Sequence, residues 1–257
     1  MWEALIFSTA ADIWGDIPYS QAANSNFAEP KFDSQKEVHD SILSLIDSAI
    51  ANLDKGQVYT MPTDFDFSFN ADIERWKKAA YTLKGRVYLN WAEVDNENYV
   101  KALESAEKGI MDQSGMGDWK ALHGAAISER NVWFQFFLSN PDYMGAGKLL
   151  VDMLRQDGDG RLGVYFLANE TTDIIGVSPG DSLSTASMLN VVGHFGMSWK
   201  PEFVSWYENK FIMAECYFKI GNEQLALDIL NETLTGIEQK WASSGYVNIS
   251  VPRYSDI

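Results

Sequence analysis

Two stretches of this chain carry the same design: an apolar stripe at helical spacing, a short polar turn, and a second stripe with small residues along it. In the first, Trp76, Ala79, Ala80, Leu83, Val87 and the run from Leu89 to Trp91 lie on one face of a helix predicted over residues 72–94. Asp95-Asn96-Glu97-Asn98 is the turn. Ala102, Leu103, Ala106 and Ile110 form the inward face of a second helix, predicted over 99–111. Alanines at 102 and 106 allow the two backbones to approach closely. The design returns near the C-terminus, where Tyr217, Gly221 and Ala226 mark the junction of helices predicted over 203–220 and 223–241.

A further helix announces itself by its cap. Ser34 and Glu37 form an S-x-x-E box, in which each side chain satisfies the other residue's backbone N–H. Val38, Ile42, Leu45, Ile46, Ala49, Ile50 and Leu53 follow at helical spacing, and Gly56 suits a left-handed stop. An apolar segment over 2–13 predicts a buried helix before it. A loop over 57–71 carries Pro62 and the Phe65, Phe67, Phe69 alternation. From 113 to 200 glycines are dense and periodicity is poor. One helix is predicted there, over 143–156, among loops and short strands. The fold class this predicts is mainly α. Tetratricopeptide-like helical hairpins form an α-α superhelix around an irregular, loop-rich middle. Unlike sequence between the hairpins argues against a regular solenoid. We read 1–257 as a single domain. It comprises an N-terminal helical scaffold over 1–112, an irregular ligand-side region over 113–200 and a C-terminal hairpin over 201–245.

Charge narrows the partners. Twenty basic against 36 acidic residues leave a net charge of −16. Such a surface repels phosphate backbones and anionic headgroups, so nucleic acid is excluded as a natural partner. Hydrophobic residues at 46% and charged residues at 22% make this a folded composition, not a disordered one. The single cysteine, Cys216, sits in an apolar run and reads as a small buried hydrophobe. No apolar run reaches the length of a membrane span. Met1-Trp2-Glu3 lacks the basic start of a signal peptide and enters a helix without a cap, so preceding sequence is expected.

Catalytic and metal motifs are weak. Asp157-Gly158-Asp159-Gly160-Arg161 resembles part of a calcium loop. An EF-hand needs acids where this chain has Arg155 and Phe166, so a turn held by Asp159 and Arg161 is expected instead. His39, His123 and His194 have no metal-ligand spacing, and His39, beside Asp40, reads as solvated. There is no G-x-S-x-G elbow and no phosphate loop. No cofactor and no metal are predicted. Aromatic side chains remain, with 9 Trp, 11 Tyr and 14 Phe. Trp76, Trp91, Phe211 and Phe218 fall at helical spacing and read as core. Trp119, Trp133, Phe134, Phe136, Tyr143 and Trp199 lie in the irregular region and are the candidate ligand-binding residues. A flat ring offers a polarisable face to the C–H face of a sugar. Asn131, Gln135, Asn140 and Asp142 are neighbouring polar groups able to bond hydroxyls.

Four segments together carry a family resemblance. Trp14-Gly15-Asp16-Ile17-Pro18-Tyr19 and Phe32-Asp33-Ser34-Gln35 are similar to the "GD-P-Y … YDSQ-E-V" signature of the SusD/RagB family. The helix from Trp76 to Leu89 is similar to its "W-k-k-A-A-x-x-L-k-a-R-x-y-L" segment. Phe211-Ile212-Met213-Ala214-Glu215, followed by Gly236-Ile237 and Trp241, resembles "F-I-x-A-E-A" and "G-I … W/Y". The resemblance implies a Bacteroidetes surface lipoprotein of the outer membrane. It implies non-enzymatic capture of oligosaccharide or polysaccharide and delivery to a SusC-like TonB-dependent transporter. It also implies a lipid anchor that this sequence does not include, and a chain shorter than its relatives. A helical-repeat scaffold that binds peptides is the alternative reading, and a glycan-cleaving enzyme the third.

Overall fold

The computed structural model describes residues 1–56, 65–246 and 249–256, the side chain of Asp142 excepted. Pro62 and its neighbours, read above as loop, lie outside the described residues. Among the described residues the chain forms nine α-helices and one two-stranded sheet, so it is mainly helical. It divides into two compact units. The first comprises Met1–Trp119 and Val204–Ile229, the second Lys120–Phe203 and Leu230–Ile257. The chain passes between them near the short strands β1 (Trp119–Lys120) and β2 (Glu202–Val204), and again within the last helix.

The first unit begins with α1 (Trp2–Trp14) and α2 (Gln35–Asp54). The Ser34–Glu37 capping box forms as the sequence predicts. Between these helices, the two halves of the signature meet. Ile17 and Asp33 exchange backbone hydrogen bonds in an antiparallel bridge. The Asp33 carboxylate accepts from the backbone N–H of Tyr19 (3.0 Å) and Ser20 (2.6 Å), from the Ser20 hydroxyl (2.8 Å) and from Lys31 Nζ (2.9 Å). These bonds, led by the Ser20 N–H, hold its pKa far below the usual carboxylate range. Gln35 N–H donates to Asp16, and the Gln35 amide donates to the Ala11 carbonyl at the end of α1. The signature is therefore a knot that ties a proline-containing loop to two helix ends.

α3 (Ile73–Asn90) starts on Asp72, which accepts from Arg75 N–H, and turns into α4 (Glu97–Ala106). Both are shorter than the sequence predicts, because their last turns tighten into non-helical turns at Trp91–Val94 and Glu107–Gly109. The two helices cross where Gly85 faces Ala102 and Ala106; a Cβ at 85 would lie 3.3 Å from the Ala102 carbonyl. α8 (Trp206–Lys219) packs on both. Its Asn209 is wholly buried, with the Nδ2 donating to the Ala106 carbonyl and the Oδ1 accepting from the Thr82 hydroxyl, both at 2.9 Å. Thr82 Oγ1 also accepts from Ile110 N–H. Arg86 grips Glu208 of α8 through two nitrogens, adding an outer ion pair. α8 passes to α9 (Glu223–Ser243) through Gly221, at φ +86°, with the Asn222 N–H on the Tyr217 carbonyl at 2.8 Å. Cys216 is buried, and that burial pushes its thiol up to about 12.

His39 corrects one expectation. It is buried, with Nε2 2.9 Å from Asp12 Oδ1 and its ring against Trp91. The helical period places it on the same face as Ile42 and Ile46, toward the core and not beside Asp40. Phe218, expected in the core, is 37% exposed at the end of α8.

The second unit contains α5 (Val132–Ser139), α6 (Lys148–Gln156) and the single-turn α7 (Leu162–Tyr165), with the later part of α9. α6 begins five residues later than predicted because Pro141–Tyr143 forms a separate 3-10 turn. Ala146, Val151 and Phe166 form a small core that Leu162, Tyr165, Ile174 and Leu189 cover. Asp159 and Arg161 form the expected turn: the guanidinium donates from Nε and Nη2 to a carboxylate that is almost fully buried.

Two substitutions test this account of the first unit. A methyl group at Gly109 would meet Asn209 Oδ1 at 2.2 Å and Thr82 Oγ1 at 2.5 Å. Gly109→Ala should therefore lower the unfolding free energy by about 3 kcal/mol in urea titration, the upper end for overpacking. Asp33→Ala should cost about 2–3 kcal/mol, because it removes hydrogen bonds to a charged acceptor.

Candidate functional site

The second unit holds a cavity of about 230 Å³. Trp133, Phe134, Phe137, Met144, Leu189, Val191, Phe195 and Trp199 line it. α5 presents the first three. Its N-cap, Asn131, is wholly buried, and its Oδ1 accepts from Trp133 N–H (2.8 Å) and Phe134 N–H (3.1 Å). The same side chain donates from Nδ2 to the Trp199 carbonyl (3.2 Å), and its backbone N–H donates to the Met197 carbonyl (2.8 Å). One asparagine thus sets the start of α5 and clasps the segment that carries Trp199. That is how two tryptophans 66 positions apart in the chain come to line one cavity.

Behind Trp199 stands an aromatic cluster. Phe195 meets the Trp199 ring at right angles, with centroids 4.9 Å apart, and His194 packs 5.5 Å from it. His194 is also edge-on to Trp241 at 4.5 Å and near Tyr165 at 5.9 Å. Burial, reinforced by the positive charge of Lys240, lowers the His194 pKa to about 4, against a smaller opposing effect of Glu202. Lys240 itself pairs with Glu202 at 2.8 Å. His194 is therefore a neutral ring among rings at neutral pH.

The six residues singled out in the sequence fall into three places. Trp133, Phe134 and Trp199 share the cavity lining. Trp133 is 58% exposed, Phe134 is buried and Trp199 is half-buried. Phe136 and Tyr143 meet edge-to-face, with centroids 6.4 Å apart, on the exposed side of α5. Trp119 joins neither group. It is wholly buried in the first unit, edge-on between Trp2 (4.6 Å) and Trp76 (5.2 Å), and offers no ring face to solvent. Phe137, Met144, Leu189, Val191 and Phe195 complete the lining without having been singled out in the sequence. Met144, Leu189 and Val191 carry no aromatic signal; Phe137 and Phe195 do, one beside Phe136 on α5 and the other in a glycine-flanked loop.

The polar neighbours are differently employed. Asn131 is committed to backbone groups, as above. Gln135 donates to the Arg130 carbonyl and Asn140 to the Phe136 carbonyl. Asp142 lies outside the described side chains. Among the described residues no cluster of three His, Cys, Asp or Glu side chains could hold a metal, and no helix is long and apolar enough to cross a membrane.

A family model, SusD-like, described as "Starch-binding associating with outer membrane", matches residues 1–247. The chain superposes on a SusD/RagB family protein from Bacteroides thetaiotaomicron VPI-5482 with a TM-score of 0.77 at 22% identity, over 99% of this chain and 56% of that one. A chitin-binding protein gives 0.76 at 22% identity, over 96% and 56% of the two chains. A SusD homolog from Bacteroides uniformis ATCC 8492 gives 0.76 at 20% identity, over 98% and 56%. The chain thus spans little more than half the length of these solved structures. No curated protein matches the sequence.

His194 gives this site a pH signature. Its folded pKa lies near 4, below its ordinary 6.5, so the unfolded chain binds the proton more readily between those values. The stability it contributes is full above pH 6.5 and is lost as pH falls toward 4. Carboxylates held below their ordinary values, such as Asp33 and Glu238, add their own loss at the acid end of that range, which a change at His194 leaves in place. Thermal melts of His194→Phe should show a shallower fall of Tm between pH 6.5 and 4.5 than the unmodified chain.

Proposed function

The chain belongs to the SusD-like family, and on that premise we propose that it binds oligosaccharide or polysaccharide nutrients without cleaving them. The place of action is the cell-surface side of the outer membrane, and the recipient of the cargo is a SusC-like TonB-dependent transporter. A lipid anchor would hold the protein there. The family description, starch-binding and associated with the outer membrane, supports the class of ligand and the place. The chitin-binding relative supports polysaccharide as cargo.

The observation that carries the ligand site is the pairing of Trp133 and Trp199 at one cavity, with Trp133 more than half exposed. An indole face at the surface suits the axial C–H face of a pyranose, and its N–H supplies a donor at the ring edge. The acidic surface is compatible with a neutral cargo. Phe136 and Tyr143 extend the exposed aromatic surface along α5 and form a second contact region for a longer chain.

Calorimetry with chito-oligosaccharides and malto-oligosaccharides tests this reading. Trp133→Ala should weaken binding about tenfold, the loss of roughly 1.4 kcal/mol expected for one stacked ring. A folded variant with unchanged affinity would remove Trp133 from the site. Release of new reducing ends from the same oligosaccharides would contradict a binding protein.

A further inference from the structure

We propose that the cavity beneath Trp133 and Trp199 takes an apolar group, a single aromatic ring or a short branched acyl chain, carried as a substituent by the sugar cargo. The sugar part of this statement rests on the function proposed above; the apolar part rests on the cavity alone.

Chemistry separates the cavity from the ring faces at its mouth. A pyranose presents several hydroxyls, and each one placed in an apolar site without a partner costs on the order of 2–7 kcal/mol. Phe134, Phe137, Leu189, Val191 and Phe195 offer the interior no hydrogen-bonding side-chain atom. Three polar side chains on or beside α5 are already engaged. Asn131 accepts two backbone N–H groups and donates to the Trp199 carbonyl, while the Gln135 and Asn140 amides donate to backbone carbonyls. A sugar ring therefore gains from the exposed face of Trp133 and loses by entering among the apolar side chains.

Volume points the same way. An engineered apolar cavity of about 150 Å³ stays dry and accepts benzene. At about 230 Å³ with apolar walls, this hollow, which is open to solvent, has room for a phenyl group or a branched acyl chain of similar bulk. Filling it takes apolar lining out of water. Apolar atoms inside and ring faces at the rim would hold an aryl- or acyl-bearing sugar at both ends.

The test uses calorimetry with benzyl alcohol and phenyl β-D-glucopyranoside. Benzyl alcohol and the phenyl glycoside should bind with a negative heat-capacity change, the mark of apolar burial. Val191→Phe, which fills the cavity, should weaken both at least tenfold; circular dichroism reports whether it folds. Val191→Ala enlarges the space and should admit 2-naphthyl β-D-glucopyranoside more tightly than the unmodified chain does. The inference is overturned if neither aromatic probe binds the unmodified chain, or if the folded Val191→Phe variant binds them equally well. It is also overturned if a phenylalanine-containing tripeptide binds more tightly than the phenyl glycoside. A phenyl glycoside no better than benzyl alcohol supports the apolar site and counts against the sugar reading, so the two can fail separately.

Discussion

A threonine hydroxyl and an asparagine amide, both wholly buried, form the joint on which the helical scaffold depends. Thr82 of α3 and Asn209 of α8 bond to each other, to the Ala106 carbonyl at the end of α4 and to the Ile110 N–H beyond it. Residues more than a hundred positions apart are thereby fixed in one register. In a low-dielectric interior such bonds are strong when complete and costly when broken, because each orphaned group keeps its full desolvation penalty. The same joint explains its neighbours. Gly109 has no room for a side chain, Gly85 lets α4 approach, and the Arg86–Glu208 pair closes over the outside.

The second unit is built on another principle. Its helices are short, its core is small, and one buried asparagine does the positioning that long helices do in the first unit. Asn131 caps α5 and binds the 197–199 segment, so one residue's side chain and backbone hold Trp133 and Trp199 in their relative placement. A neutral His194, packed among Phe195, Trp199 and Trp241, stiffens the wall behind. The result is a firm apolar hollow with an exposed indole at its edge.

Much of the scaffold was legible in the sequence because it follows periodic rules. The apolar stripes of α2, α3 and α4, the Ser34–Glu37 box, the Gly221 turn and the alanines at the α3–α4 crossing each announce themselves locally. His39 was misread because its neighbour Asp40 suggested solvent, while the helical period turns it toward Ile42 and Ile46. α5 is not legible as a helix, since in an apolar run of eight residues only Gln135 and Ser139 mark a polar side, too few to reveal a period. Trp119 shows the limit for the site. It lies in a glycine-dense stretch like Trp133, yet its burial depends on Trp2 and Trp76, which only tertiary structure brings to it. Phe134 and Trp199 could be chosen by residue type; Leu189 and Val191 could not, because aliphatic side chains in loops carry no local mark of the space they face.

Cargo is proposed to sit on Trp133 and Trp199. Indole N–H resonances of the chain's nine tryptophans, assigned by substitution and followed by NMR during addition of chitohexaose or maltohexaose, test it most directly. The account predicts saturable shifts confined to Trp133, Trp199 and the adjoining Trp241, with the buried Trp119 and Trp206 unmoved. Saturable shifts at other tryptophans, with Trp133 and Trp199 unchanged, would contradict it.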